Sequence, residues 1–197
     1  MIVLGLTGSI GMGKSEAAHA LRRLGLPVFD SDQQVHVLLA AGGAIAEAVE
    51  KAFPGVARDG VVDRAALGAR VFGHTTALKE LEAILHPAVG AARSEFLAEC
   101  RARGDRLAVL DVPLLFETGG EAACDHVMVV SAPAEIQRQR VMARDGMSEE
   151  RFRAILAGQM PDAEKRRRAD FIISTDRPME DTFEEIRAMV EKLRQKN

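Results

Sequence analysis

The residues most suited to chemistry lie near the amino terminus, where Gly8 to Ser15 read G-S-I-G-M-G-K-S. This segment fits the pattern G-x-x-x-x-G-K-[ST], known as the P-loop, at every fixed position. In a P-loop the backbone N–H groups of a glycine-rich turn face phosphate oxygens. Lys14 is placed to reach the β- and γ-phosphates, and the hydroxyl of Ser15 is a ligand for Mg²⁺. The segment therefore predicts a site for ATP and Mg²⁺.

The sequence around the P-loop predicts the elements that must hold it. Ile2–Thr7 is an apolar run typical of a buried parallel strand. After Ser15, apolar residues recur at helical spacing, and a helix N-terminus favours anions. We therefore expect the triphosphate to be bound by Gly8, Gly11, Met12, Gly13, Lys14, Ser15 and Glu16. The alternative is a glycine-rich turn without a ligand.

A carboxylate is also needed, because transfer to a hydroxyl requires a group that orients or deprotonates it. Asp30-Ser31-Asp32 follows the apolar segment Pro27-Val28-Phe29, and ligands bind at the carboxyl ends of strands in α/β sheets. Either carboxylate suits the role, and we favour Asp32. The alternative is a helix N-cap, for which Asp and Ser are preferred residues.

Asp111 closes a second apolar run, which begins at Leu107. An Asp at the end of a buried strand holds the Mg²⁺ shell in other P-loop proteins, so Asp111 joins Ser15 as a candidate metal ligand. The alternative, a strand-end carboxylate that accepts backbone hydrogen bonds, remains equally open.

The segment from 138 to 168 holds nine Arg or Lys against five Asp or Glu, a net charge of +4 in a chain of −3. This pattern favours an arginine-bearing lid over the triphosphate, although for most of these charges a solvated helix face is the better interpretation. Arg140 and Arg144 are the better candidates for function. They are four residues apart, on one face of a predicted helix, and lead into the turn signal Asp145-Gly146.

The fold class predicted from the whole chain is α/β, with a P-loop NTPase-type parallel five-stranded sheet flanked by helices. The predicted strands are Ile2–Thr7, Pro27–Asp30, Leu107–Leu115, Val127–Ser131 and Phe171–Ser174. The nucleotide-binding core covers about 1–32, 104–137 and 169–197 of a single domain. Residues from about 33 to 103 show helical patterns and no convincing strand, which predicts a helical insertion that holds substrate or only packs. His86-Pro87 interrupts one of its helical patterns.

Composition excludes several other classes of protein. The chain has no Trp, no Tyr and eight Phe, so a base-stacking surface for nucleic acid is not expected. Cys100 and Cys124 are not in zinc-binding spacing. No apolar run approaches the length of a membrane span, and we expect no signal peptide. The sequence does not define an oligomeric state.

Several segments together resemble one family, dephospho-CoA kinase. They are Gly5–Ser15, Pro27–Asp32, His86-Pro87, Asp111–Glu117 (D-V-P-L-L-F-E), the pair Arg140 and Arg144, Gln159 and Ala169-Asp170. The resemblance implies transfer of the γ-phosphoryl of ATP to the ribose 3′-hydroxyl of dephospho-CoA, the last step of coenzyme A synthesis, in the cytoplasm.

The resemblance also implies roles for particular parts of this chain. The helical insertion becomes the CoA-binding region, with Asp32, His86, Pro87, Leu114 and Glu117 as substrate contacts. Residues from about 138 to 168 become the lid, with Arg144 on ATP. Lys14, Asp32 and Arg140 become the catalytic residues. Another P-loop kinase, acting on a nucleoside monophosphate or a small metabolite, is the alternative.

The sequence departs from the family pattern in two places. Ser9, Met12 and Glu16 stand where we expect Gly, Ser and Thr, in variable positions of the loop or just after it. Thr175-Asp176 replaces an expected Asn and leaves the adenine contacts undefined. A GTP-dependent switch is disfavoured because the guanine-reading sequence N-K-x-D is absent.

Overall fold

The computed structural model describes residues 1–40 and 43–195. The strands in these ranges are β1 (Ile2–Thr7), β2 (Val28–Asp30), β3 (Ala57–Arg58), β4 (Val61–Val62), β5 (Leu107–Asp111), β6 (His126–Ser131) and β7 (Phe171–Ser174). Five of them form the predicted parallel sheet, in the order β2–β5–β1–β6–β7. The predicted α/β fold class is therefore confirmed.

The helices described are α1 (Lys14–Arg23), α2 (Ser31–Ala40), α3 (Ala44–Ala52), α4 (Arg64–Val71), α5 (Thr75–Arg103), α6 (Ala134–Met142), α7 (Glu149–Ala157), α8 (Asp162–Arg168) and α9 (Met179–Gln195). A 3₁₀ helix spans Gly120–Ala123. None of the helices within the described ranges is both long and apolar enough to cross a membrane.

The chain divides into two compact units, residues 1–29 with 100–197, and residues 30–99. In the first unit β1 is the central strand, and all six of its residues are buried. It pairs with β5 on one side and β6 on the other, with Leu6 opposite both Asp111 and Met128. This register brings the carboxyl ends of three strands to one edge of the sheet, where the P-loop begins.

The second unit, residues 30–99, has an apolar core of its own. Its buried side chains come from several helices and from β4, and include Leu39, Val49, Val62, Leu67 and Leu81.

Glu50 on α3 fixes the loop that follows this helix. Its Oε1 accepts a hydrogen bond from the N–H of Gly55 at 2.7 Å, and Oε2 accepts one from Ala57 at 2.6 Å. These two hydrogen bonds hold the pKa of the Glu50 carboxyl below its usual range.

The prediction that residues 33–103 contain no strand is wrong, because β3 and β4 pair there as an antiparallel hairpin. The two residues between the strands are Asp59, with φ 51°, and Gly60, with φ 77°. Positive φ at both central residues is the geometry of a type I′ turn, for which Asp-Gly is a favoured pair. Two-residue strands are too short for an alternating sequence pattern to be recognised.

The predicted strand Leu107–Leu115 is too long, since β5 ends at Asp111. Pro113 has no N–H to donate to a neighbouring strand. After it the chain turns: Thr118 N donates to the carbonyl of Leu114 at 3.1 Å, and Gly120 N to that of Leu115 at 2.8 Å. Most of the segment D-V-P-L-L-F-E is therefore a compact turn that follows the strand.

Candidate active site

The P-loop connects β1 to α1, so the predicted order of strand, glycine loop and helix is confirmed. Gly11 and Gly13 have φ angles of 76° and 84°, which residues that carry a Cβ rarely adopt. At Gly8 the constraint is space, because a Cβ there would lie 2.5 Å from Cγ2 of Val130. Backbone conformation thus accounts for Gly11 and Gly13, and close packing against Val130 accounts for Gly8.

The inner surface of the loop presents unused hydrogen-bond donors. Within residues 1–40 and 43–195, no hydrogen bond uses the backbone N–H groups of Gly11, Gly13, Lys14 or Ser15. Gly13 precedes α1, so these donors coincide with the positive end of the helix dipole. Consecutive donors at a helix N-terminus form an anion site, and a chain of phosphates fits it.

The backbone carbonyls of the loop are held from the other side. Gln137 Nε2, from α6, donates to the carbonyl of Ile10 at 2.8 Å. The hydroxyl of Thr175 donates to the carbonyl of Met12 at 3.0 Å, and Arg140 Nη1 lies 3.5 Å from that of Gly11. Three consecutive peptide groups are therefore fixed by side chains of other elements, which orients the loop before a ligand binds.

Lys14 and Asp111 form an ion pair at the carboxyl edge of the sheet. Lys14 Nζ lies 2.6 Å from Asp111 Oδ1, and the exposed fractions of the two side chains are 18% and 2%. Asp111 is the last residue of β5, beside β1, so the strand pairing places its carboxylate next to the start of the P-loop. In this structure the P-loop lysine is directed to Asp111.

The residues predicted to hold Mg²⁺ are Ser15 and Asp111. The hydroxyl of Ser15 is in the exposed first turn of α1, and both residues offer oxygen donors, which Mg²⁺ prefers. No group of three or more His, Cys, Asp or Glu side chains within the described ranges forms a metal site. Mg²⁺ in kinases is typically held by one or two protein ligands with substrate phosphates and water, so this pair fits the ion.

Arg140 and Arg144 differ in their surroundings. Arg140 lies in the last turn of α6 and donates to Oγ1 of Thr175 at 3.0 Å and to its carbonyl at 2.5 Å. Arg144 is exposed and lies beyond α6, which ends at Met142. The prediction that both share one helical face is wrong, because the chain leaves the helix for the turn signalled by Asp145-Gly146. Of these two arginines, Arg140 is the one whose side chain contacts the P-loop among the residues that the structure describes.

In the second unit, Asp30 and Asp32 have different surroundings. Asp30 Oδ1 accepts a hydrogen bond from the N–H of Gln33 at 2.9 Å, as a helix cap does. Asp32 is exposed, in the first turn of α2. The capping role that the sequence left open therefore belongs to Asp30.

His86 and Pro87 are exposed residues within α5, which is continuous from Thr75 to Arg103. The prediction that this dipeptide interrupts the helix is wrong. A proline removes one backbone hydrogen bond and strains the preceding turn. A helix of 29 residues absorbs this loss, because Leu81 and Leu85 pack into the core just before the proline.

Leu114 and Glu117 lie in the turn after β5. Leu114 is 37% exposed, a large fraction for a leucine. Glu117 points inward, and its Oε1 accepts a hydrogen bond from Met160 N at 2.7 Å and lies 2.9 Å from Lys165 Nζ. Burial acts to raise the pKa of the Glu117 carboxyl, but the Lys165 ammonium and the Met160 N–H outweigh it, so the pKa is lowered.

Sequence reasoning missed three residues that touch the P-loop region or support it. Gln137 has no signal, since a glutamine in a helix is unremarkable. Thr175 appeared only as a departure from an expected asparagine. Lys165 stands first in the run Lys165–Arg168, which is typical of a solvated helix face, yet it is 0% exposed. A helix of 7 residues is too short for its sequence alone to show which residue faces inward.

Comparisons with known proteins agree with this geometry. A family model described as dephospho-CoA kinase matches residues 2–181. A Mesorhizobium japonicum protein named dephospho-CoA kinase is 59% identical over 194 residues, 98% of each chain.

Two solved structures are also similar. A crystal structure of a protein from Thermus thermophilus has a TM-score of 0.78 and 36% identity, covering 98% of this chain and 97% of that one. Dephospho-CoA kinase from Campylobacter jejuni has a TM-score of 0.66 and 27% identity, with coverage of 97% and 96%. With the P-loop, the buried Asp111 and the five-stranded sheet in place, these matches show that the chain belongs to the dephospho-CoA kinase family.

Proposed function

We propose that this protein transfers the γ-phosphoryl group of ATP to the ribose 3′-hydroxyl of dephospho-CoA, which gives coenzyme A and ADP. The observation that carries the proposal is the family match over residues 2–181. The relative from Mesorhizobium japonicum, which is named dephospho-CoA kinase, matches this chain over 98% of its own length. A cytoplasmic location and the absence of nucleic-acid partners remain predictions from the sequence.

On the donor side, the unused N–H groups of Gly11, Gly13, Lys14 and Ser15 bind the triphosphate. Lys14 leaves Asp111 and turns to the β- and γ-phosphates, where its charge stabilises the transition state. Ser15 and Asp111 hold Mg²⁺, which supplies further neutralisation of phosphate charge when bound.

Arg140 adds positive charge from the side of α6. Its contacts with Thr175 and the Gly11 carbonyl hold the guanidinium against the P-loop. To contact the transferring group, the guanidinium must leave these partners, and its charge then stabilises the negative charge that develops there. Arg144 is proposed to contact ATP only when the lid segment, about 138–168, closes.

On the acceptor side, Asp32 orients the hydroxyl and takes its proton as the new O–P bond forms. The proton moves to a carboxylate oxygen, and ADP leaves with the electrons of the broken bond. His86, Pro87 and Leu114 are proposed acceptor contacts, and their exposure leaves their side chains accessible.

The test is a panel of acceptors with Mg²⁺-ATP: dephospho-CoA, adenosine, AMP, CMP, shikimate and gluconate. ADP release is measured by a coupled assay, and the product by mass spectrometry. We expect ADP only with dephospho-CoA, and a product heavier by one phosphate. ADP formed with another acceptor, or with none, would contradict the proposed acceptor while leaving the nucleotide site in place.

A further inference from the structure

The segment 159–165, here called the strut, contacts other parts of the first unit at both of its ends. At its far end Lys165 is fully buried, while Glu117 is 16% exposed and lies 2.9 Å away. The same Oε1 of Glu117 accepts the N–H of Met160 at 2.7 Å. One carboxylate oxygen thus joins the end of the strut to its beginning.

The other contacts of the strut run towards the P-loop. The side-chain carbonyl of Gln159 accepts a hydrogen bond from the N–H of Ile10 at 3.0 Å. Asp162 Oδ2 accepts one from the hydroxyl of Ser131 at 2.8 Å, at the carboxyl end of β6. Because Gln137 holds the carbonyl of Ile10, both polar groups of this loop residue are bound by glutamines.

Stability alone is a weak explanation for the Glu117–Lys165 pair. A buried ion pair is often matched or exceeded in stability by apolar residues of similar volume. Apolar residues would not accept the N–H of Met160, however, and so would not fix the residue next to Gln159. The charged pair therefore supplies a hydrogen bond that apolar residues cannot, and this bond fixes the backbone of Met160, next to Gln159.

We propose that Glu117 and Lys165 are positioning residues that, through Gln159, hold the Ile10 peptide of the P-loop in the orientation that binds the triphosphate. This inference rests on the proposed function in taking ATP as the donor. It replaces the expectation that Glu117 contacts dephospho-CoA.

The first experiment measures the KM for ATP and for dephospho-CoA in three variants, Gln159→Met, Lys165→Met and the double variant. Met removes the acceptor or the charge while keeping the length of the side chain. We expect each single variant to raise the KM for ATP about tenfold, the ratio given by one ordinary hydrogen bond. The KM for dephospho-CoA should change by less than about twofold, within the scatter of surface substitutions.

If Lys165 acts through Gln159, the effects on the KM for ATP are not additive. The double variant should then lose little more than either single variant. Arg167→Met is the matched control, because Arg167 lies on the same helix, is 76% exposed and pairs with Glu164 on its own helix. We expect this control to behave as wild type.

The second experiment reports on the loop directly and does not depend on the acceptor. In the nucleotide-free protein labelled with ¹⁵N, the amide proton of Ile10 should exchange slowly, and faster in Gln159→Met and Lys165→Met. Amides of the central strand, such as that of Leu6, should keep their protection in Gln159→Met, which separates loop positioning from general destabilisation.

Three results would overturn the inference: unchanged exchange at Ile10, additive effects in the double variant, or a KM increase for dephospho-CoA alone. The last result would return Glu117 to the acceptor site. Should Lys165→Met fail to fold, Gln159→Met alone still decides the role of the Ile10 contact. If wild type binds ATP but does not phosphorylate dephospho-CoA, the exchange and ATP-binding measurements still test the positioning role.

Discussion

Replacing Lys14 by methionine should damage the protein in two separable ways, because Lys14 has a partner before any nucleotide arrives. Asp111 is only 2% exposed, so the variant leaves a carboxylate in the sheet edge without its cation. Removing one member of a buried ion pair costs about 3–5 kcal/mol. Since Lys14 itself is 18% exposed, we expect the lower end, about 3 kcal/mol.

For a chain of this size, that loss corresponds to a fall in Tm of about 6–12 °C. The double variant Lys14→Met/Asp111→Asn removes both charges, so it should regain most of the lost stability. Turnover should fall at least about a hundredfold in both, because the phosphates lose the lysine in either case. Stability is measured by urea unfolding followed by circular dichroism, and turnover by ADP release.

Lys192→Met is the matched control, since this lysine is exposed near the end of α9. Wild-type stability in Lys14→Met would show that the ion pair contributes nothing to folding. A double variant as unstable as the single one would show that the loss does not come from the uncompensated charge of Asp111. Either result would refute the reasoning.

Three further predictions concern single positions. Asp32→Asn should lower kcat at least about a hundredfold, while the Kd for ATP stays within about threefold. The control Asp30→Asn retains a capping side chain and should leave both constants nearly unchanged. Equal loss of rate and ATP binding in Asp32→Asn would indicate a structural role. Gly8→Ala should destabilise by about 1–3 kcal/mol in urea unfolding through overpacking, whereas Gly90→Ala, in a helix with open space around it, should stabilise by about 0.5–1 kcal/mol. Because the pKa of Glu50 is lowered on folding, its contribution to stability is present above the pKa of the unfolded chain and is lost as pH falls through the folded value. A carboxyl titration of Glu50 by NMR that shows an ordinary or raised pKa would contradict this.

The parts of the fold that could be predicted are the strands and helices whose sequence pattern continues over their whole length. The strand Ile2–Thr7 and the strand Phe171–Ser174 were predicted to the residue, because each is a short apolar run that ends in a polar residue. The P-loop was predictable because its glycines, lysine and serine stand at a fixed spacing within eight residues. Such constraints act within a few residues and are therefore visible in the sequence.

The remaining features depend on contacts between residues far apart in the chain. The hairpin of β3 and β4 has strands of two residues, and only its turn, Asp59-Gly60, carries a signal. Pro87 lies inside a helix because tertiary packing of α5 outweighs the local preference of proline. Lys165 is buried because Glu117, 48 residues earlier in the chain, lies beside it.

The candidate site divides in the same way. Gly11, Gly13, Lys14 and Asp111 were recognisable as members of short motifs. The contacts of Gln137 and Gln159 with Ile10 were not, since they join residues more than 120 positions apart. The roles assigned to Asp32, His86 and Leu114 stay predictions that the acceptor assays must test.

The division of the chain into one continuous and one discontinuous unit has a consequence for synthesis on the ribosome. Residues 30–99 contain their own core and depend mainly on contacts close in sequence, which form quickly. The central strand β1 must instead wait for its partners, since Leu4 pairs with Val109 and His126. The ribosome adds about 5–20 residues per second, beginning at the amino terminus. The strand β1 and the P-loop that follows it therefore wait several seconds for the partner strands β5 and β6. The P-loop is therefore translated before the strands that complete its sheet, and it is among the last parts of the fold to become a binding site.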